Sequence, residues 1–365
     1  MKKKIMLIFG TRPEAIKMCP LVRELKARDE AQTVVCVTGQ HRQMLYRALE
    51  AFSVVPDYDL SIMTEGQTLF DVTSRALDGI GSLLDEVKPD TVLVHGDTTT
   101  AFAASLACFY KRIPVGHVEA GLRTYNIYSP FPEEFNRRAI AIIARYCFAP
   151  TERARSNLLS EGYKPEGIFV TGNTAIDALR TTVRTEYSHP ELEWVGDSRL
   201  ITVTVHRREN LGAPMRNIFK ALRRAVSEAA DVKAIYPIHM NPLVRSIARE
   251  ELCGCDRIKI IEPLDVLDFH NFLARSYMIL TDSGGIQEEA SFLGKPVLVA
   301  RETTERPEGV EQGTLRLVGT DEANIYGSLK LLLEGGDDYR AMQRTGSPYG
   351  DGFASKRIAD ILLKR

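Results

Sequence analysis

The chain alternates short, continuously apolar segments with segments of helical length, and this alternation constrains its fold more than any other feature. The first apolar segments are residues 5–9, 34–37, 91–94 and 115–118. Strands that are apolar on both faces are typical of parallel sheets that helices cover on both sides. The pattern therefore predicts an α/β fold built on a doubly wound parallel sheet.

A second series of the same kind follows the first. Its apolar segments begin at 201–205 and 232–236, after a polar stretch at 185–199 that separates the two series. A chain of 365 residues is long enough for about two domains. We therefore predict two Rossmann-like domains, residues 1–172 and residues 173–352, facing a central cleft.

Composition excludes several classes of protein. The net charge is −1, which gives no general attraction to nucleic acid or to a membrane surface, and no apolar run approaches the length of a membrane span. The six cysteines form no CxxC pair, so we expect no structural metal, and free thiols suit a reducing cytoplasm. We predict a cytoplasmic protein that needs no metal and no cofactor.

Polar residues collect where the predicted strands end. In parallel sheets, ligands bind beyond the carboxyl ends of the strands. Any one of these residues has an ordinary structural explanation; Asp97, for example, could simply cap the next helix. Their repeated placement nevertheless favours a ligand site, and the residues concerned are Arg12, Gln40, His41, Asp97, Glu119, His206, His239, Asp282 and Ser283.

The stretch 281–306 has the features of an anion site. Ser283, Gly284 and Gly285 follow an apolar strand and precede a helix that we predict over 286–293. Glycines at a helix N-terminus let free backbone N–H groups approach a phosphate closely. Arg306 would clamp the same phosphate. From spacing alone, an ordinary turn between strand and helix remains the alternative.

Seven motifs, in this order along the chain, resemble the non-hydrolysing UDP-N-acetylglucosamine 2-epimerase family. They are GTRPEAIK near the start, HGDTTT at 95–100, HVEAGLRT at 117–124, FPEEFNR at 131–137, TVHRREN at 204–210, TDSGGIQEE at 281–289 and TTERPE at 303–308. The resemblance implies the glycosyltransferase-B type of fold, with a C-terminal helix of about 353–365 that joins the first domain. It also implies a homodimer.

The reaction implied by the resemblance is the reversible epimerisation of UDP-N-acetylglucosamine to UDP-N-acetylmannosamine, for surface polysaccharide precursors. UDP would be eliminated to leave 2-acetamidoglucal and would then add back. The catalytic positions matched are Asp97, Glu119, Glu133 and His206. The substrate-binding positions are Arg12, Lys17, Leu264, Phe269, Ser283, Gly284, Gly285, Glu289 and Arg306.

A second molecule of UDP-N-acetylglucosamine would act as an activator, as in bacterial relatives. The positions matched for it are Gln40, Gln43, Arg207 and His239. Three other functions stay open from the residues: a glycosyltransferase of the same fold, an epimerase that hydrolyses its substrate, and a nucleotide-sugar sensor without catalysis. Neither a transferase nor a sensor would need three clustered acids.

Overall fold

The computed structural model describes residues 2–39, 42–64, 66–344 and 347–364. Two compact units make up the chain, Met1–Thr181 with Tyr349–Arg365, and Thr182–Pro348. We call them the first and the second domain. The sequence predicts changes of domain after residues 172 and 352, whereas the chain changes unit after residues 181 and 348.

The first domain contains a parallel sheet of seven strands among the described residues. Their order is β3-β2-β1-β4-β5-β6-β7, so the direction of winding reverses between β1 and β4. The strands are β1 (Lys3–Phe9), β2 (Ala31–Val37), β3 (Tyr58–Asp59), β4 (Thr91–His95), β5 (Val115–Val118), β6 (Tyr146–Ala149) and β7 (Ile168–Val170).

Helices connect these strands, and one further helix comes from the C-terminal part of the chain. The helices are α1 (Arg12–Lys26), α2 (Arg42–Ala51), α3 (Leu69–Val87), α4 (Thr99–Tyr110), α5 (Glu133–Ile143), α6 (Glu152–Ser160), α7 (Thr174–Thr182) and, at the end of the chain, α16 (Ala354–Lys364). The Asp177 carboxylate of α7 accepts hydrogen bonds from the N–H groups of Ala354 and Ser355, which fixes the start of α16 on the first domain.

The second domain repeats the same topology with six strands in the described chain. Their order is β10-β9-β8-β11-β12-β13, and the winding reverses between β8 and β11. The strands are β8 (Arg199–Thr204), β9 (Val232–Pro237), β10 (Ile258–Ile261), β11 (Met278–Thr281), β12 (Val297–Val299) and β13 (Leu315–Leu317). The helices are α8 (Pro190–Val195), α9 (Ala213–Glu228), α10 (Pro242–Leu252), α11 (Val266–Arg275), α12 (Gly284–Phe292), α13 (Pro307–Glu311), α14 (Glu322–Leu333) and α15 (Asp337–Arg344).

Both sheets have the strand order of a Rossmann fold, so the prediction of two Rossmann-like α/β domains is confirmed. The central strands are buried on both faces, and Ile5 to Phe9 of β1 have no exposed surface. The helix predicted over 286–293 begins two residues earlier, at Gly284.

Two further properties bear on function. No helix among the described residues is long and apolar enough to cross a membrane. In the same part of the chain, no three His, Cys, Asp or Glu side chains are grouped so that they could hold a metal ion.

Candidate functional site

The predicted site residues of the first domain lie at the carboxyl edge of its sheet, where the winding reverses. Arg12 is the first residue of α1, directly after β1, and Asp97 follows β4. Glu119 follows β5, and Glu133 is the first residue of α5. In a doubly wound sheet this edge is the usual ligand-binding position, because the loops on either side of the reversal diverge.

Asp97 is held by α5 through both its backbone and its side chain. Arg137 pairs with the carboxylate at 2.6 Å, and the Asn136 side-chain amide donates to the Asp97 carbonyl at 2.8 Å. Burial raises the pKa of Asp97, the charge of Arg137 opposes this, and the nearby charges of Glu119 and Glu133 raise it further. A carboxyl group with a raised pKa is better suited to exchange protons near neutral pH.

Asp97 does not cap helix α4, although its position before the helix would allow it. Thr98 is the N-cap residue, and its hydroxyl accepts the N–H of Ala101 at 3.0 Å. The Asp97 carboxylate is therefore not required for the helix, and the simple structural explanation for this residue is wrong.

Glu119 has an unusual backbone conformation and several polar neighbours. Its φ is +64°, a left-handed conformation that costs a non-glycine residue about 1 kcal/mol or more. Oε2 accepts hydrogen bonds from the Lys17 ammonium and, at 2.8 Å, from the Asn173 amide. His95 lies 3.7 Å from the same oxygen. Lys17, predicted to bind the substrate, is thus paired with a predicted catalytic residue.

Two buried histidines lie beneath these acids and are held neutral by their surroundings. Burial lowers the pKa of His95 to about 3 and that of His117 to about 4. The Nε2 of His117 lies 2.7 Å from the carbonyl of Gly96, so the neutral ring donates there. Because Gly96 precedes Asp97, this bond fixes the backbone that carries the acid.

Glu133 completes the group of acids on the first domain. Its Oε2 is buried and has no hydrogen-bond partner among the described residues. A buried polar atom without a partner is costly, and such atoms are common where a ligand or a proton is to be bound. The first domain therefore brings Asp97, Glu119 and Glu133 together, close enough for the other two to affect the pKa of Asp97.

In the second domain, Asp282 organises the loop that carries His206. Its Oδ2 accepts hydrogen bonds from the N–H groups of His206 at 2.9 Å and Arg207 at 2.8 Å, and from the Asn210 amide at 3.0 Å. Asp282 itself has no exposed surface. This aspartate lies at the end of β11 and His206 lies beyond β8, so the bonds cross the point where the winding reverses.

The imidazole of His206 stacks on that of His239. The ring centroids are 5.0 Å apart and the planes are nearly parallel, at 8°. Burial lowers the pKa of His206, and the charge of Asp282 opposes that effect. Two stacked rings disfavour double protonation, since the charges would repel each other.

The N-terminus of α12 has the form predicted for an anion site. The guanidinium of Arg306 beside it is already paired with two carboxylates. Arg306 contacts Glu288 at 2.5 Å and Glu305 at 2.8 Å. A Cβ atom on Gly284 would lie 2.4 Å from the Arg306 guanidinium, so glycine is required there for the arginine to approach the helix. Around Gly285 the space is open, and the Ser283 side chain does not cap the helix.

The remaining predicted substrate-binding residues also belong to the second domain. Glu289 is nearly buried, with one carboxylate oxygen 3.6 Å from His270 Nε2. Phe269 packs against an apolar cluster that includes Ile286 of α12. Leu264 packs in a different apolar cluster, which contains Phe272.

The structure describes only some of the residues that are predicted to bind an activator. Gln40 lies outside the described residues, and of Gln43 only the backbone in α2 is described. Arg207 lies 3.7 Å from the Glu305 carboxylate. His239 is the ring stacked on His206. On the second domain, the activator positions therefore adjoin a predicted catalytic residue.

Sequence reasoning missed several residues that support the site. Arg137 follows Glu133 by four positions, so helical spacing could have indicated that the two share a face of α5. No such signal points to Asn173, because the strand before it, β7, was not recognised. The other residues missed are Asn136, His117 and Glu305.

Comparisons with known proteins agree along the whole chain. A family model described as UDP-N-acetylglucosamine 2-epimerase matches residues 23–363. The UDP-N-acetylglucosamine 2-epimerase of Bacillus subtilis (strain 168) is 61% identical over 362 residues, covering 99% of this chain and 95% of that protein. The enzyme of the same name from Salmonella typhimurium is 49% identical over 368 residues, covering 98% of both chains.

Solved structures give the same result. The S. aureus MnaA structure with UDP superposes with a TM-score of 0.93 at 53% identity, covering 99% of this chain and 96% of that one. The UDP-GlcNAc 2-epimerase from Neisseria meningitidis, bound to UDP-GlcNAc, superposes with a TM-score of 0.92 at 45% identity, covering 99% of this chain and 100% of that one.

Proposed function

Since this chain belongs to the UDP-N-acetylglucosamine 2-epimerase family, a family of isomerases, we propose that it interconverts UDP-N-acetylglucosamine and UDP-N-acetylmannosamine without net hydrolysis. The observation that carries this proposal is the group of three acids, Asp97, Glu119 and Glu133, on one sheet edge of the first domain. The product would serve as a precursor of surface polysaccharide.

The proposed reaction follows from the weak acidity of the hydrogen on C2. No carbonyl adjoins C2 on the sugar ring, so the proton cannot be removed to give a stabilised carbanion. Loss of the proton becomes feasible if the C1–O bond breaks and its electrons leave with UDP. The electrons of the C2–H bond then form the C1=C2 double bond of 2-acetamidoglucal. Re-addition of UDP to C1, with a proton delivered to the opposite face of C2, gives the epimer.

The acids of the first domain would move this proton. An ordinary carboxylate, with a pKa near 4, is a weak base at neutral pH, but burial and neighbouring charges raise the pKa of Asp97. Glu133 Oε2, which has no hydrogen-bond partner in the described part of the chain, would take part as well. We assign proton transfer on the two faces of C2 to Asp97 together with Glu119 or Glu133. His206 would support the sugar or the leaving oxygen.

The second domain would bind UDP. The free N–H groups at the start of α12 and the Arg306 guanidinium suit a diphosphate, whose charge grows as UDP leaves. Glu289 would bind the ribose hydroxyls, and Leu264 and Phe269 would flank the uracil. In the first domain, Arg12 would also contact the diphosphate, and Lys17 would contribute to the same site. The backbone N–H groups at the start of α12 would come from Ser283, Gly284 and Gly285.

A second UDP-N-acetylglucosamine would activate the enzyme. The positions proposed for it are Gln40, Gln43, Arg207 and His239, and the support is that His239 stacks on His206 while Arg207 shares the loop that Asp282 holds. Pure UDP-N-acetylmannosamine should then react slowly until a trace of UDP-N-acetylglucosamine is added. A full rate without that trace would contradict the proposal that a second UDP-N-acetylglucosamine activates the enzyme.

We also propose a homodimer that forms through helices α4 and α5. These helices adjoin each other through the ring contact between Phe102 and Phe135, whose centroids are 5.6 Å apart. Two turns further along each helix, Phe109 is 60% exposed and Ile142 is 81% exposed. Large apolar side chains exposed in a contiguous patch are typical of an interface.

One experiment distinguishes the candidate functions. The protein is incubated with UDP-N-acetylglucosamine alone, and the products are identified by ³¹P and ¹H NMR. An epimerase gives a mixture of the two UDP-sugars. Free N-acetylmannosamine with UDP would instead indicate a hydrolysing epimerase, and turnover that requires an added acceptor would indicate a transferase. Bound but unchanged substrate would indicate a sensor.

A further inference from the structure

Asn173 connects a proposed catalytic acid to the place where the chain re-enters the first domain. It lies between β7 and α7 and is almost completely buried. Its Nδ2 donates to Glu119 Oε2 at 2.8 Å, and its backbone N–H donates to the carbonyl of Tyr349 at 2.8 Å. Tyr349 is the first residue of the returning segment. One residue thus touches both Glu119 and that segment.

The orientation of the Asn173 side chain is fixed by a second hydrogen bond. Its Oδ1 accepts the backbone N–H of Ala175 at 3.0 Å, a local bond that only the oxygen can make. The amide nitrogen must therefore face Glu119. The bond to Ala175 does not use this nitrogen, so an aspartate would satisfy Ala175 equally well.

The backbone around Asn173 is packed too closely to shift. Gly172 precedes it with φ +86° and packs against Gly350, which follows Tyr349. A Cβ atom on Gly350 would lie 3.0 Å from the Cα of Gly172 and 3.5 Å from the Asn173 nitrogen. The backbone that carries the Asn173 side chain, the donor to Glu119, is therefore held rigidly.

We propose that Asn173 is the positioning residue of Glu119: together with Lys17 it holds Oε2, keeps the carboxylate ionised and sets the direction of the side chain from its strained backbone. Hydrogen bonds donated to a carboxylate favour its charged form. This proposal rests on the function proposed above, because it gives Glu119 the role of the ionised member of the acid group. Asp97, with its raised pKa, would be the member that more readily carries a proton.

Charged and titratable groups from several elements surround Glu119, and any test must allow for them. Lys17 reaches it from α1, His95 lies 3.7 Å away at the end of β4, and His117 precedes it in β5. Asp97 and Arg137 interact with it electrostatically. Asn173 is the neutral donor of the set, so replacing it changes the field at Glu119 without removing a charged partner.

The test compares Asn173→Asp with a matched control, Asn126→Asp. Both asparagines accept a backbone N–H two residues ahead, at 3.0 Å for Asn173 and 3.1 Å for Asn126, but Asn126 is exposed and its side chain is used in a different loop. Each substitution adds one negative charge and keeps its local bond. The readouts are the pH profile of kcat, the Kd for UDP, and the titration of Glu119 followed by ¹³C NMR of labelled glutamate carboxyl groups without substrate.

We expect Asn173→Asp to raise the titration midpoint of Glu119 by about one pH unit or more, because a like charge disfavours ionisation. Activity that needs ionised Glu119 is lost as pH falls through that midpoint, so the acid limb of kcat moves upward by the same amount. At pH 7 the carboxylate stays ionised, and kcat should fall by about tenfold because Glu119 loses its fixed direction, with the Kd for UDP changed less than about twofold. Asn126→Asp should change none of these quantities.

The outcomes separate this inference from the proposed function. If the wild-type protein does not epimerise, the function fails, while the NMR titration still reports on Asn173. If the wild type epimerises and Asn173→Asp leaves both the titration and the pH profile unchanged, the positioning role is contradicted. Asn173→Ala provides a second variant: it should lower kcat without shifting the Kd for UDP, and an unchanged kcat would also overturn the proposal.

Discussion

Arg137 lies one helical turn beyond Glu133 on α5 and pairs with the Asp97 carboxylate at 2.6 Å. The same guanidinium contacts Glu134 at 3.3 Å, and the Glu134 carboxylate in turn accepts the N–H groups of Thr124 and Tyr125. One arginine thus couples the start of α5, the loop before it and the acid that follows β4. Its charge limits how far burial raises the pKa of Asp97.

Removal of the Arg137 charge should shift the pH profile of kcat. In Arg137→Gln, burial and the charges of Glu119 and Glu133 are opposed by the smaller effect of Lys17 alone, so the pKa of Asp97 rises further. Catalysis that needs protonated Asp97 is lost as pH rises through that pKa, so the alkaline limb of kcat should move upward by roughly one unit or more. Arg138→Gln, at the exposed neighbouring position, should leave the limb in place.

Glu305 should weaken the binding of UDP. Burial would raise its pKa, but the charges of Arg306 and Arg301 lower it to about 2, so this carboxylate stays negative beside the proposed diphosphate site. Glu305→Gln removes a like charge from the neighbourhood of the diphosphate, and calorimetry should give a Kd for UDP about three- to tenfold smaller. Glu302→Gln removes an exposed charge nearby and should change the Kd little. Weaker binding in Glu305→Gln would contradict the assignment of UDP to Arg306.

Asp282 should contribute to the stability of the protein as well as to the conformation of the loop that carries His206. Asp282→Ala leaves the N–H groups of His206 and Arg207 without their acceptor, which should lower the free energy of unfolding by roughly 2–4 kcal/mol. Asp282→Asn keeps one acceptor oxygen and should cost less. Chemical denaturation followed by circular dichroism measures both. Equal stability of the alanine variant and the wild type would show that these bonds contribute nothing.

The proposed dimer predicts a change of mass. The double variant Phe109→Asp, Ile142→Asp places two charges in the exposed apolar patch of α4 and α5, and light scattering should find a monomer where the wild type is a dimer. Val55→Asp alters an apolar side chain that is also exposed, but outside this patch, and should leave the dimer intact. If the double variant still forms a dimer, the interface lies elsewhere on the protein.

The sequence predicted the fold well because buried parallel strands leave a strong apolar signal. The prediction of two Rossmann-like domains needed only that signal and its alternation with helices. Short strands gave a weaker signal, and β7, with three residues, was missed. The start of α12 was placed two residues late, because glycines are poor helix formers, and here the approach of Arg306 requires Gly284 at the first helical position.

The site could be predicted only where a residue follows a strand or belongs to a long motif. Asp97, Glu119 and His206 do both, and the structure finds the three acids of the first domain together. Their supporting residues depend on contacts across the fold: Asn173 is 54 positions from Glu119, and Asp282 is 72 to 76 positions from the loop residues it holds. Such pairs have no local pattern. The roles of the predicted site residues stay predictions.

The most direct test of the account is the exchange of hydrogen at C2. The protein is incubated with UDP-N-acetylglucosamine in deuterated water, and the C2 position of both UDP-sugars is followed by ¹H NMR. If carboxylates remove the proton and return one from the opposite face, both sugars acquire deuterium at C2 as the epimer accumulates. Formation of UDP-N-acetylmannosamine that retains the original hydrogen at C2 would contradict proton transfer by Asp97, Glu119 and Glu133.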